Sequence, residues 1–332
     1  MNIEIKNLFA SIKKKIPDNI SMIDEIADTL DINYDAAYRR VKNLTQLTFN
    51  EVVVLARHYN ISLNTVCNFG QSNLITLERK GNDYTVDSLE RFFEEGKRFA
   101  NIYRRKRNAV MLYAAKELPL YYLPKDSLLM KFRVFSMLYC CGVNKKLLKK
   151  RISLSEFKIS SSLLYELTCF THLFKEVECI EFWNDFTIDS TLNLIYYYCG
   201  INLLTKEEAL KVLDDLEKLL RTIEDQARKE HREGEGGARL EMFYSNLVSL
   251  DGSILFKSDN TKGLLIPYGP LSFFKVDDDK TCDEVSMHFE DRTKLSKKIS
   301  GNSEVERKLF FSRLYLKIKK IYRFINEEGE LL

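Results

Sequence analysis

Ser21-Met22-Ile23-Asp24-Glu25-Ile26-Ala27-Asp28-Thr29-Leu30-Asp31-Ile32-Asn33-Tyr34-Asp35-Ala36-Ala37-Tyr38-Arg39-Arg40-Val41-Lys42-Asn43 holds two short amphipathic helices joined almost without a loop. Ser21 is a favoured N-cap residue, and Ile23, Ile26, Ala27 and Leu30 follow at the i, i+3, i+4, i+7 spacing of one buried face. Asp31-Ile32-Asn33 leaves three residues for the connection before Tyr34, Ala37, Tyr38 and Val41 repeat that spacing. On this phase both tyrosines belong to the core. Asn43 closes the second helix where a left-handed backbone is needed, a conformation Asn tolerates.

Working outward, Ile5, Leu8, Phe9, Ile12 and Ile16 share one face of an earlier helix that stops at Pro17-Asp18-Asn19. Thr48-Phe49-Asn50-Glu51 is a capping box opening a later helix through Val52, Leu55, Ala56 and Tyr59, and a short fifth helix is expected near Leu63 and Val66. Residues 1–67 therefore predict a five-helix helix-turn-helix domain. Residues 68–85, with Gly70 and Lys80-Gly81-Asn82-Asp83, predict a linker. Residues 86–233 read as an all-helical region, in which Phe92, Gly96, Phe99 and Tyr103 share a face and Thr205-Lys206-Glu207-Glu208 is a second capping box.

Past Gly234-Glu235-Gly236-Gly237 the period falls from 3.6 to 2. Leu240 to Leu250, Ser253 to Lys257, Leu264 to Tyr268 and Ser272 to Val276 predict short antiparallel strands, punctuated by Asp251-Gly252, Gly269-Pro270 and Asp277-Asp278-Asp279. Two helices end the chain, so residues 234–332 predict a small C-terminal α+β part and the fold class is mainly α. The last helix carries a stripe of Phe310, Leu314, Ile318, Ile321 and Ile325. That stripe either packs on the chain's own strands or joins two copies through Leu314 and Ile318.

The chain has 332 residues, 51 Lys+Arg against 48 Asp+Glu and 45% hydrophobic content, which excludes disordered and fibrous classes. A net charge of +3 implies no polyanionic partner by itself. Seven cysteines, with no Cys-x-x-Cys pair, point to neither a disulfide framework nor a structural zinc site. Met1 to Lys15 is too polar for a secretory signal, and the uncharged stretch Ser190 to Thr205 is shorter than the roughly 20 apolar residues of a membrane span. The expectation is a cytoplasmic protein with no membrane association and no cofactor.

Two helices joined by about three residues are the spacing of a DNA-binding helix-turn-helix. Residues 2–67 resemble the Xre/Cro-type family of bacterial DNA-binding domains. Ile26-Ala27-Asp28-Thr29-Leu30 stands where that family has its Leu-Ala-x-x-Leu helix, Ala37 to Asn43 stands as the recognition helix with Asn43 in place of the usual Gly, and Ile61-Ser62-Leu63 precedes the final turn. Ala114 to Tyr121, Ile180 to Ile188 and Ile299 to Phe311 resemble landmarks of a group of long bacterial regulators with an Xre-type head. The resemblance implies a transcription regulator and supplies neither an effector nor a catalytic residue.

Burying Tyr34, Ala37, Tyr38 and Val41 turns Asp35, Ala36, Arg39, Arg40 and Asn43 outward, with Lys42 on the flank. Arg39 and Arg40 are then the expected guanine readers, and Asp35 a partner for cytosine N4. Asp35 and Arg39, four apart, also fit a solvated surface pair. Residues 1–67 hold eight basic and eight acidic residues, so further phosphate contacts are expected. Ser21, Thr45, Lys97, Arg98, Arg104 and Arg105 are the candidates, with Lys145 to Arg151 a further basic run. Double-stranded DNA and a second copy are the expected partners, with room for an effector or protein partner. The alternative is a protein-interaction adaptor with a helical binding surface.

Enzyme signals are poor. Cys169 and His172 have no third ligand or base nearby in sequence, the glycines at 234–237 follow a charged helix where a phosphate loop would follow a strand, and Asp277 to Asp279 reads as a turn.

Overall fold

A computed structural model describes residues 3–17, 20–59, 61–63, 66, 75, 77–80, 86–140, 151–234, 237–246, 250–269 and 271–328. They fall into two compact units, Met1–Leu77 and Glu78–Leu332.

The first unit contains α1 (Ile3–Lys13), α2 (Met22–Leu30), α3 (Tyr34–Val41) and α4 (Phe49–His58). Polar side chains fix where each of the last three begins: Ser21 accepts from the Asp24 N–H, Asn33 from Ala36, and Thr48 from Glu51 in a complete capping box. Asp31 (φ 52°) ends α2 in the left-handed region, and Asn43 (φ 58°) does the same after α3. Leu8, Phe9, Ile12, Ile26, Ala27, Ala37, Leu55, Tyr59 and Val66 form the unit's own core. Most of the expected fifth helix lies outside the described residues.

The second unit is organised by an eight-stranded mixed sheet, which corrects the expectation of a mainly α chain with a small C-terminal α+β part. Its strands are β1 (Glu78–Lys80), β2 (Val110–Ala114), β3 (Cys179–Trp183), β4 (Leu240–Tyr244), β5 (Ile254–Lys257), β6 (Lys262–Gly269), β7 (Ser272–Val276) and β8 (Lys297–Lys298), in the order β1-β7-β6-β5-β2-β3-β4-β8. The expected antiparallel strands β5 to β7 are present, whereas β4, expected over Leu240 to Leu250, ends at Tyr244 and pairs parallel with β3. β2 and β3, inside the region read as all helical, run parallel to each other and to β4 at the centre of the sheet. Strands buried on both faces are nearly continuous apolar runs, and Val110-Met111-Leu112-Tyr113-Ala114 has no alternation to separate it from a piece of buried helix. β1, an edge strand on β7, lies in the segment read as a linker.

Parallel neighbours need long crossovers. α6 (Leu128–Cys140) and α7 (Ser161–Lys175) lie between β2 and β3, and α8 (Asp189–Gly200) and α9 (Lys206–Lys229) between β3 and β4. α5 (Val86–Tyr103) precedes β2, and α10 (Asp279–Leu295) and α11 (Glu304–Glu328) flank β8. Gly96 lets α5 approach α7: a β-carbon there would lie 2.5 Å from the Phe170 ring. The pleat sorts the strands between two cores. Met111, Tyr113, Cys179 and Trp183 join the core shared with the crossover helices, while Leu112, Ala114 and Phe182 join Phe289 of α10 on the other face.

The first core encloses a polar network centred on Glu181, 0% exposed, and Arg232, 1% exposed, whose Nη2 lies 2.8 Å from the carboxylate. Tyr121 and Tyr122, in a 3-10 turn after β2, each donate to Glu181 Oε1 at 2.9 Å, and the Trp183 indole donates to Oε2 at 2.8 Å. Burial, reinforced by the Glu181 charge, pushes both phenols well above their ordinary pKa. The Arg232 guanidinium lies over the Tyr121 ring at 4.7 Å, but its Nε and Nη1 are buried without hydrogen-bond partners among the described residues.

The stripe on α11 is spent internally. Phe310, Phe311, Leu314, Ile318 and Ile325 are buried in the first core, which removes Leu314 and Ile318 from any contact between copies. Of Tyr196 to Tyr198, only Tyr198 is core. Asp278 caps α10 by accepting from Thr281, so the triple aspartate is the expected turn.

Candidate nucleic-acid interface

α3 is rotated relative to the sequence-based wheel. Ala37 is fully buried, whereas Tyr38 is 40% exposed and Tyr34 is exposed as well. The outward face of α3 is Tyr34, Asp35, Tyr38, Arg39 and Lys42, with Ala36, Arg40 and Asn43 half-buried. Asn33 sets this phase by capping the Ala36 N–H at 2.8 Å. Ala37, the buried residue of α3, joins Ile26 and Ala27 of α2 in the core, and a small side chain at that position suits close helix packing. The missed signal was the Ala36-Ala37 pair. Small residues mark a close approach, and Tyr34 and Tyr38, four apart, then share the other face.

The two arginines have different roles. Arg40 Nε donates to Glu51 Oε1 at 2.9 Å, its Nη2 lies 2.7 Å from the same oxygen, and its Nη1 donates to the Ala36 carbonyl at 3.2 Å. It ties α3 to the first turn of α4 and is not presented to a ligand as expected. Arg39 is exposed, and its side chain has no partner among the described residues. Lys42 Nζ lies 5.9 Å from the Tyr38 ring centre. Asp35, Tyr38, Arg39 and Lys42 thus form a ridge with one acceptor, one aromatic and two cations.

Glu51 closes the capping box as well, accepting from the Thr48 N–H at 2.8 Å. Burial raises its carboxyl pKa, but the Arg40 hydrogen bond, the Thr48 N–H and the Arg40 charge outweigh burial and hold it below the ordinary value of 4.5. A carboxyl depressed by folding stabilises above its unfolded pKa and loses that contribution as pH falls through the folded one. Urea unfolding of residues 1–77 is therefore expected to shift to lower denaturant as pH drops below about 4.5, with a smaller shift in Glu51→Gln. Equal shifts in the two proteins would show that Glu51 carries none of the dependence.

The candidate phosphate contacts divide. Ser21 and Thr45 are exposed at the start of α2 and after α3, with the Ser21 hydroxyl already accepting from Asp24 N–H at 3.5 Å. In the second unit Lys97 pairs with Glu166, Arg98 with Glu95 and Arg104 with Glu176, which leaves little net charge for a phosphate, while Arg105 is exposed. Of the basic run 145–151, all but Arg151 lies outside the described residues. His172 Nε2 lies 3.4 Å from Glu176, and Cys169 is half-buried on the same helix.

No protein family, no curated protein and no solved structure matches the chain. No helix among the described residues is long and apolar enough to cross a membrane.

Proposed function

We propose that the chain is a sequence-specific DNA-binding transcription regulator of the cytoplasm, with an Xre/Cro-type helix-turn-helix in its first unit. The observation that carries this reading is the outward face of α3: Arg39, free among the described residues, stands on a helix locked from behind by Ala37 and the Arg40–Glu51 pair. Laid in a major groove, Arg39 is the guanine reader, donating to O6 and N7 together, and Asp35 accepts from cytosine N4. Tyr38 offers a ring to a thymine methyl, and Lys42, Ser21 and Thr45 are placed for phosphates. Ala36 and Asn43 shape the helix rather than read bases, and Arg40 is a positioning residue. A neutral head binds phosphate weakly alone, so two copies presenting two heads are part of the reading.

A second reading, an adaptor that grips a protein partner, has one observation in its favour. Leu44 and Phe49 are strongly exposed beside α3. Incubating the full chain with fragmented genomic DNA under excess nonspecific competitor separates the two. Retention of a small recurring set of fragments is expected, and retention without enrichment overturns the regulator in favour of the adaptor.

A further inference from the structure

The side of α11 opposite its buried stripe is uncovered and patterned. Val305, Leu309 and Leu316 are 65%, 59% and 65% exposed. Val305, Leu309, Ser312, Leu316, Lys319 and Arg323 follow at alternating steps of four and three, the spacing of a seam between two paired helices. Charge along this face is uneven: Glu304, paired with Lys308, and Glu306 are exposed at its start, and Lys319, Lys320 and Arg323, followed by Glu327, at its end, which leaves the start net acidic and the end net basic. Leu316, Lys319, Lys320, Arg323, Phe324 and Glu327 line a shallow, open depression toward the end of this face.

We propose that this face is the contact between two copies of the chain, with α11 packed antiparallel on α11 of the second copy about a twofold axis near Ser312 and Arg313. A parallel arrangement would set Lys319, Lys320 and Arg323 against themselves. The antiparallel one sets the acidic start of each helix beside the basic end of the other. In this register Leu309 meets Leu316 of the second copy, Glu306 meets Lys319, and Val305 lies beside Lys320. The 25-residue helix is about 37 Å long at 1.5 Å per residue, enough for the whole seam to form. A nucleic acid is the weaker occupant, because Val305, Leu309 and Leu316 make much of the face apolar and Glu306 stands exposed at its start. The use of the contact, presenting two heads to two half-sites, rests on the proposed function; the surface rests on the pattern of α11.

Sedimentation of the full chain without DNA is the test. The wild-type chain is expected as a dimer, and Leu309→Lys combined with Leu316→Lys as a monomer with unchanged circular dichroism, since both side chains are exposed. Glu306→Lys alone should weaken association roughly tenfold, and Lys319→Glu in the same chain should restore it by re-forming both symmetry-related pairs. A wild-type monomer, a dimer indifferent to the leucine changes, or leucine variants that keep the dimer and lose only DNA affinity would each overturn the proposal. A dimer that retains no DNA sequence overturns the proposed function and leaves this contact standing. A monomer that still selects a sequence does the reverse.

Discussion

Glu181→Ala is expected to cost the second unit most of its stability. The substitution strands Arg232, which is 1% exposed and already lacks partners at two nitrogens, and it removes the acceptor of Tyr121, Tyr122 and Trp183. Removing one member of a buried ion pair costs about 3 to 5 kcal/mol, and each orphaned buried donor adds about 1 to 3 kcal/mol. A domain's whole stability is only about 5 to 15 kcal/mol. Urea unfolding followed by tryptophan fluorescence is a direct readout, because Trp183, the chain's single tryptophan, is in the network. Glu181→Met with Arg232→Met should recover the ion-pair part of the loss, since replacing both charges leaves no stranded ion, while the orphaned Tyr121, Tyr122 and Trp183 donors remain. A loss under ~1 kcal/mol in Glu181→Ala would mean that the network contributes little.

Arg39→Ala and Arg40→Ala are expected to fail in opposite ways. Arg39 is exposed and unpaired among the described residues, so its removal should leave folding intact and reduce discrimination at one guanine by about 10- to 100-fold, the worth of one bidentate contact. Arg40→Ala breaks the tie to Glu51 and the Ala36 carbonyl, so the head should unfold at lower denaturant while the base preferences of the folded fraction stay as they were. Fluorescence anisotropy on a retained fragment and its single-base variants, beside urea unfolding, distinguishes the two. Loss of discrimination in Arg40→Ala with full stability would reverse the assignment.

The head was legible because its boundaries are written in local chemistry. Ser21 and Thr48 each announce a helix start, and Asn43 takes the positive φ that its position asked for, while Asn33, read only as part of the connection, proves to be the cap of α3. The phase of α3 was not legible, since an eight-residue helix with apolar residues on two sides fits either rotation, and only packing against α2 chooses. The inward role of Arg40 is hidden for a related reason: its partner Glu51 lies on the next helix, and no local pattern joins them. In the second unit, Asp251-Gly252 and the alternation of β5 to β7 revealed the antiparallel strands, with Gly252 at φ 85°. β2 and β3 were hidden by burial on both faces, and the Glu181 network by separation. Tyr121, Glu181 and Arg232 are far apart in the chain and meet only once the crossovers have formed.

Whether the outward face of α3 reads bases decides between a DNA-binding regulator and an adaptor. Selection of bound sequences from random duplexes, run in parallel on the full wild-type chain and on Arg39→Ala, tests this most directly. The wild-type pool should converge on a motif containing a guanine, repeated as an inverted pair about 34 Å apart or a multiple of it, and the Arg39→Ala pool should lose that guanine while keeping the spacing. Identical motifs from the two proteins, or no motif from either, would contradict base reading by α3.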